Sequence, residues 1–188
     1  MKYQVIVLDL DGTLTNSRKE ITPPTRDALI EIQQKGKKVV LASGRPINGV
    51  APLAEELHLK EYGGFMLSFN GARITRCSDN AIIYNKVIPQ EVIRPIYETV
   101  KEYPGLDLIS YTDKVILSGI KSNEYTEKEA AINSMEICPV EDFPSVLDFP
   151  INKMLVPGEP AILEELMPKL QKQYHGLLNI YRSEPFFL

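Results

Sequence analysis

Val5 to Asn16, VIVLDLDGTLTN, constrains this chain more than any other stretch: four apolar residues, Val5 to Leu8, run straight into Asp9 and Asp11, and Gly12-Thr13 follow at once. A run rich in β-branched residues that ends in turn formers reads as a strand. Along a strand, side chains at i and i+2 point the same way with their Cα atoms roughly 6.5–7 Å apart, so Asp9 and Asp11 can converge on one ligand while Leu10 points elsewhere. Gly12 turns the backbone where a side chain would obstruct. Carboxylates at the end of an apolar strand must be paired or hold a cation, because desolvating an unpaired charge is costly. Hard oxygen ligands of this kind suit Mg²⁺, which is held by one or two carboxylates together with phosphate oxygens of a substrate. That points to phosphoryl chemistry, in which one carboxylate attacks phosphorus and the other protonates the leaving oxygen and later deprotonates water. The plainer alternative is an acidic strand-to-turn junction with no chemistry, since Asp and Gly both form turns.

Downstream, Thr22 before Pro23 predicts a helix N-cap with proline in the first turn, and Ala28, Leu29 and Ile32 give that helix one apolar face up to about Lys35, with Gly36 as its stop. Lys38 to Ala42 is a second strand, so the opening unit is a βαβ crossover with parallel strands. This second strand ends in Ser43-Gly44-Arg45-Pro46, and ligands of open α/β sheets bind at the carboxyl ends of the strands. A serine hydroxyl and an unhindered glycine N–H at a helix start form a cradle for phosphate, although the same residues also make an ordinary turn. Val50, Leu53 and Leu57 line the next helix, which contains Pro52, and His58 is expected to meet its last carbonyls. Phe65 to Phe69 is a third strand, and Asn70-Gly71 predicts a hairpin.

DLDGTLT resembles the D-x-D-G-T motif of the haloacid dehalogenase-like (HAD) hydrolases, and with SGRP at Ser43–Pro46 and FNGA at Phe69–Ala72 the chain is similar to the Cof-type sugar-phosphate phosphatases. The resemblance implies an α/β fold, a Rossmann-like HAD core with a parallel sheet and an inserted α+β cap domain. It makes Asp9 the nucleophile and a Mg²⁺ ligand, and Asp11 the acid/base that also binds the metal through its backbone carbonyl. Leu10, Ser43 and Gly44 would bind phosphate, and Arg45 and Asn70 would contact substrate. Asn-Gly is also what the turn itself requires.

From about Ile82 the pattern changes: Ala81–Tyr84 is strand-like, Pro89–Tyr103 is an amphipathic helix, and helices at Asn123–Met135 and Gly158–Tyr174 alternate with short strand-like runs at 106–111, 115–120, 151–156, 177–182 and 185–188. Residues 1–82 therefore read as the N-terminal part of the core and 83–188 as the cap, which in the family closes over the site and selects the leaving group. Lys114, Lys153 and Arg182 are cap candidates for substrate contact, although such residues are more often solvated. The family's downstream lysine and G-D-x-x-x-D motif have no match here; Asp142 and Asp148 lie in a Pro-rich loop instead. The expectation is the first part of a longer enzyme, with an impaired metal site and Val5–Leu10 left as an apolar edge strand.

A net charge of −4 with no basic block gives no nucleic-acid footprint. Cys77 and Cys138 suggest neither a disulfide framework nor a zinc site, which fits a cytoplasmic protein. With Met1–Tyr3 alone ahead of the first strand no cleavable leader is expected, and no apolar run is long enough to span a membrane. The function expected is Mg²⁺-dependent hydrolysis of small phosphorylated metabolites, sugar phosphates first among them. The alternatives are a phosphomutase, or a non-catalytic module that binds a phosphorylated ligand. Oligomeric state is not legible.

Overall fold

The computed structural model describes residues 3–188; Met1 and Lys2, and with them part of the leader expectation, lie outside the described residues. Two compact units meet in sequence between Lys86 and Val87. The sequence sets this division at 82/83; the difference is a fifth strand that stays with the first unit.

In the first unit β1 (Val5–Asp9), α1 (Pro23–Gln34), β2 (Lys38–Ala42), α2 (Ile47–Glu56), α3 (Leu59–Tyr62), β3 (Phe65–Ser68), β4 (Arg73–Arg76) and β5 (Ala81–Asn85) follow one another. They build a sheet of order β1-β2-β3-β4-β5. The first three strands are parallel, and β4 and β5 add antiparallel. Since β1, β2 and β3 step in one direction, right-handed crossovers place α1 and α2 on the same face of the sheet. The core follows from that: Leu29 of α1, Val50, Leu53 and Ala54 of α2 and Leu57 just after it pack with Val39, Leu41 and Met66 of the strands. Strand parity puts Val5, Val7 and Val40 on the other face, where Val40 of β2 is buried but the β1 edge is open. Val5 and Val7 on β1, the edge strand, are 52% and 58% exposed, while Ile6 and Leu8 are half-buried.

Three local expectations are corrected. Thr22 starts α1 without a side-chain cap; its hydroxyl pairs with that of Thr25 at 2.9 Å, and Pro at the first turn has already removed one orphan N–H. His58 is not a ring cap on α2: it sits at φ 55°, gives its backbone N–H to the Glu55 carbonyl, and sets Nδ1 3.1 Å from Glu61. The β3–β4 hairpin turns through four residues, Phe69 to Ala72, rather than through Asn-Gly alone, because Ser68 pairs with Arg73.

The second unit holds α4 (Gln90–Lys101), β6 (Ile109–Tyr111), β7 (Val115–Ser118), α5 (Glu124–Asn133), β8 (Glu136–Pro139), α6 (Phe143–Val146) and α7 (Pro160–Gln173). β6 and β7 are antiparallel and β8 joins β7 in parallel. Val92, Ile93, Ile96 and Val100 of α4 pack with Leu163, Leu166 and Leu170 of α7 around Leu106, Leu108 and Phe143. The strands expected at 151–156 and 185–188 reduce to bridges, Ile109 with Leu155 and Pro157 with Phe187, and 177–182 has no ladder. Pro150, Pro157 and Pro185 interrupt any longer ladder, since proline donates no hydrogen bond. Among the described residues no helix is long and apolar enough to cross a membrane.

Candidate active site

The carboxyl ends of β1, β2 and β3 collect the sequence-predicted residues of the first unit. Asp9 is the last residue of β1 and lies in register with Ala42, the last of β2, so Ser43 and Gly44 leave the sheet beside Leu10 and Asp11. The chain then winds into a tight loop. The Leu10 carbonyl accepts from the N–H groups of Thr13, Leu14 and Thr15 and from the Thr15 hydroxyl at 2.9 Å, and Gly12 supplies the left-handed residue at φ 77°. Leu10 is fully buried. Leu10 and Leu14 anchor the loop in the core beneath it.

Asp11 is the electrostatic centre of this loop. Arg45 grips it with two bonds, Nε to Oδ2 at 3.0 Å and Nη2 to Oδ1 at 2.6 Å, and Lys19 reaches Oδ1 at 2.6 Å. Burial alone would raise the Asp11 carboxyl, but hydrogen bonds and charge from Arg45 and Lys19 outweigh it and hold the group below its ordinary value. Arg45, read from the sequence as a substrate contact, is thus committed to Asp11, with Nη1 also 3.4 Å from the Gly49 carbonyl. Lys19 was not singled out in the sequence; no spacing signal marks a lysine eight residues on as a partner.

Ser43 is buried; its N–H bonds the Leu67 carbonyl at 2.9 Å and its hydroxyl accepts from the Arg45 N–H at 3.2 Å. A Cβ at Gly44 would sit 2.6 Å from Asn70 Oδ1, so the Asn70 side chain would have to shift to admit one. Asn70 is exposed and packed against that glycine.

Among the described residues no three acidic, histidine or cysteine groups gather as a preformed cage. Mg²⁺ does not need one, since one carboxylate, a carbonyl, waters and a substrate phosphate complete its shell. The exposed Asp9 carboxylate and the Asp11 main-chain carbonyl fit that role; the Asp11 carboxylate, bonded to two cations, does not.

A family profile described as haloacid dehalogenase-like hydrolase matches residues 6–188. The chain belongs to this family. Over 99% of its length it superposes with TM-score 0.92 and 41% identity on 70% of a haloacid dehalogenase-like hydrolase from Bacteroides thetaiotaomicron. YxeH of Bacillus subtilis (strain 168), provisionally named a phosphatase, is 27% identical over 98% of this chain and 68% of its own. The HAD subclass IIB sugar phosphatase BT4131 superposes with TM-score 0.74 over 98% of this chain and 68% of its own; at 22% identity it shares the fold.

The cap candidates lie in the second unit of this HAD-family chain. Lys153 is half-buried, 5.9 Å from the Tyr111 ring centre, and burial pulls its ammonium below its ordinary value against the charge of Glu129. Arg182 is bonded to Glu164 at 3.0 Å and to the Pro185 carbonyl. Lys114 is exposed.

Proposed function

We propose that this HAD-family chain is a cytoplasmic Mg²⁺-dependent phosphatase of small phosphorylated metabolites, sugar phosphates above all, working through an aspartyl-phosphate at Asp9. The register of Asp9 with Ala42 carries the reading, since it sets a carboxylate beside the Ser43–Gly44 turn at adjacent strand ends. The relatives named as phosphatases, and the sugar phosphatase that shares the fold, support the substrate class.

Asp9 attacks phosphorus and expels the alcohol, and Asp11 gives that alcohol its proton and then takes one from water. Ser43 and the main chain of Leu10 and Gly44 hold the phosphoryl oxygens. Mg²⁺, held by the Asp9 carboxylate and the Asp11 carbonyl, would neutralise charge on the nucleophile and phosphate when bound. Before Asp11 can serve as an acid, substrate must loosen the grip of Arg45 and Lys19, because a carboxyl held below its ordinary value is a poor proton donor near neutrality.

The test is phosphate release from a panel of sugar phosphates with and without Mg²⁺, coupled to acid-quenched capture of labelled enzyme. Asp9→Asn is expected to abolish both labelling and release, a loss of about 10³-fold or more for a covalent nucleophile. Release that persists in the variant would sink the assignment. Transfer of label to a second sugar hydroxyl instead of water would make the enzyme a mutase.

A further inference from the structure

Three consecutive residues after β3 sit in the left-handed region: Phe69 at φ 53°, Asn70 at 57° and Gly71 at 82°. Glycine adopts this conformation freely and asparagine tolerates it, but phenylalanine is strained there. Phe69 is held in it by burial and by the Arg73 guanidinium 5.5 Å from its ring centre. An Asn-Gly pair alone closes a tight hairpin without such strain, so the longer turn serves something beyond the hairpin.

What the turn reaches is the chain leaving β2. Phe69 N–H bonds the Arg45 carbonyl at 3.0 Å, and Asn70 N–H bonds the Ser43 carbonyl at 3.0 Å. Ser43 also gives its own N–H to Leu67, so both polar groups of the Ser43 main chain and the Arg45 carbonyl are tied to β3 and the turn after it. Gly44 lies in the bend between these two tethered residues. The Asn70 side chain stands against it, with Oδ1 2.6 Å from the place a Gly44 Cβ would occupy.

We propose that Asn70 is a positioning residue: it braces Gly44 and fixes the direction of the Ser43–Gly44 main chain, without touching the phosphate. The proposal rests on the reading of Ser43–Gly44 as the phosphate site. Arg45 and Asn70 then share one task, each holding a residue that meets substrate.

The test uses the 188-residue chain with inorganic phosphate and MgCl₂ as the probe, read by titration calorimetry. Asn70→Gly keeps the left-handed backbone and removes the brace, so it is expected to bind phosphate about tenfold more weakly with its melting temperature held. Gly44→Ala sets a methyl against Asn70 and is expected to weaken phosphate as well. In the Asn70→Gly background the same alanine should cost little more, because the clash and the brace are one contact. Additive losses would show that Asn70 contacts the ligand itself and overturn the proposal. Unchanged affinity in Asn70→Gly would also overturn it, as would a loss accompanied by a fall in melting temperature. Wild-type chain that binds no phosphate overturns the site reading together with the brace, and is told apart by that control alone.

Discussion

Asp11 shows how far one carboxylate can be tied down. Arg45 approaches it from β2 and Lys19 from the loop after β1, and the second approach depends on a local device: Asn16 Oδ1 accepts from the N–H groups of Arg18 and Glu20, and Lys19 takes φ 63° between them. That turn throws the lysine back over Asp11. The two cysteines give a direct check at the same scale. Cys77 is buried and burial pushes its thiol up to about 11, whereas Cys138 is exposed. Iodoacetamide at pH 8 is therefore expected to modify Cys138 alone in the folded chain, since the thiolate is the reactive form. Equal labelling of both, read by peptide mass, would contradict the burial of Cys77. That Asp9, Asp11, Ser43 and Gly44 gather at the ends of adjacent strands was legible from the sequence, because each follows an apolar strand-like run. Lys19 and the Arg45–Asp11 pair were not, because they depend on turn geometry and on which of several partners a long side chain meets.

Between elements, a buried acid binds the second unit together. Asp107 is fully buried and accepts from the Leu108 and Ile120 N–H groups at 2.8 and 3.0 Å, the Ser118 hydroxyl at 2.7 Å and the Thr126 hydroxyl at 3.0 Å. It thereby joins the β6–β7 hairpin to the first turn of α5, whose Asn123 cap accepts from Tyr125 and Thr126 as a capping box. Asp107→Ala takes this acceptor from the Leu108 and Ile120 N–H groups and the Ser118 hydroxyl, while the Thr126 hydroxyl keeps Asn123 Oδ1 at 3.3 Å, and a loss of about 3–5 kcal/mol is expected. Urea unfolding followed at α5 amides checks this, and a change below about 1 kcal/mol would mean the donors find other partners. The cap at Asn123 and the periodic helices α1, α4 and α7 were readable from residue type and spacing. The parallel strand β8 was not: Glu136–Pro139 is four residues with a proline, too short to carry a period, and it forms because β7 lies alongside it.

At the scale of the chain, two cores close separately. The first draws its buried residues from Leu10 to Cys77 and the second from Val92 to Leu188. A unit with its own core can fold alone, so residues 87–188 expressed by themselves are expected to unfold in one cooperative transition with dispersed amide resonances; a spectrum without dispersion would refute it. The first unit is less closed. β1 is the edge of its sheet, with Val5 and Val7 exposed on the face opposite α1 and α2. An apolar edge with unpaired backbone groups is a template for another strand, and Asp9 places a carboxylate at its end. Lysine on such an edge opposes strand pairing while costing little where the side chain already meets water, within about 0.5 kcal/mol for a surface substitution. Val7→Lys is therefore expected to keep the melting temperature and to lower the weight-average mass at high concentration in sedimentation equilibrium. A chain that associates as strongly with the lysine as without it would place the contact away from β1. A Val7→Lys chain that loses its melting transition would instead mean that Val7 packs against the rest of the protein, contrary to its exposure.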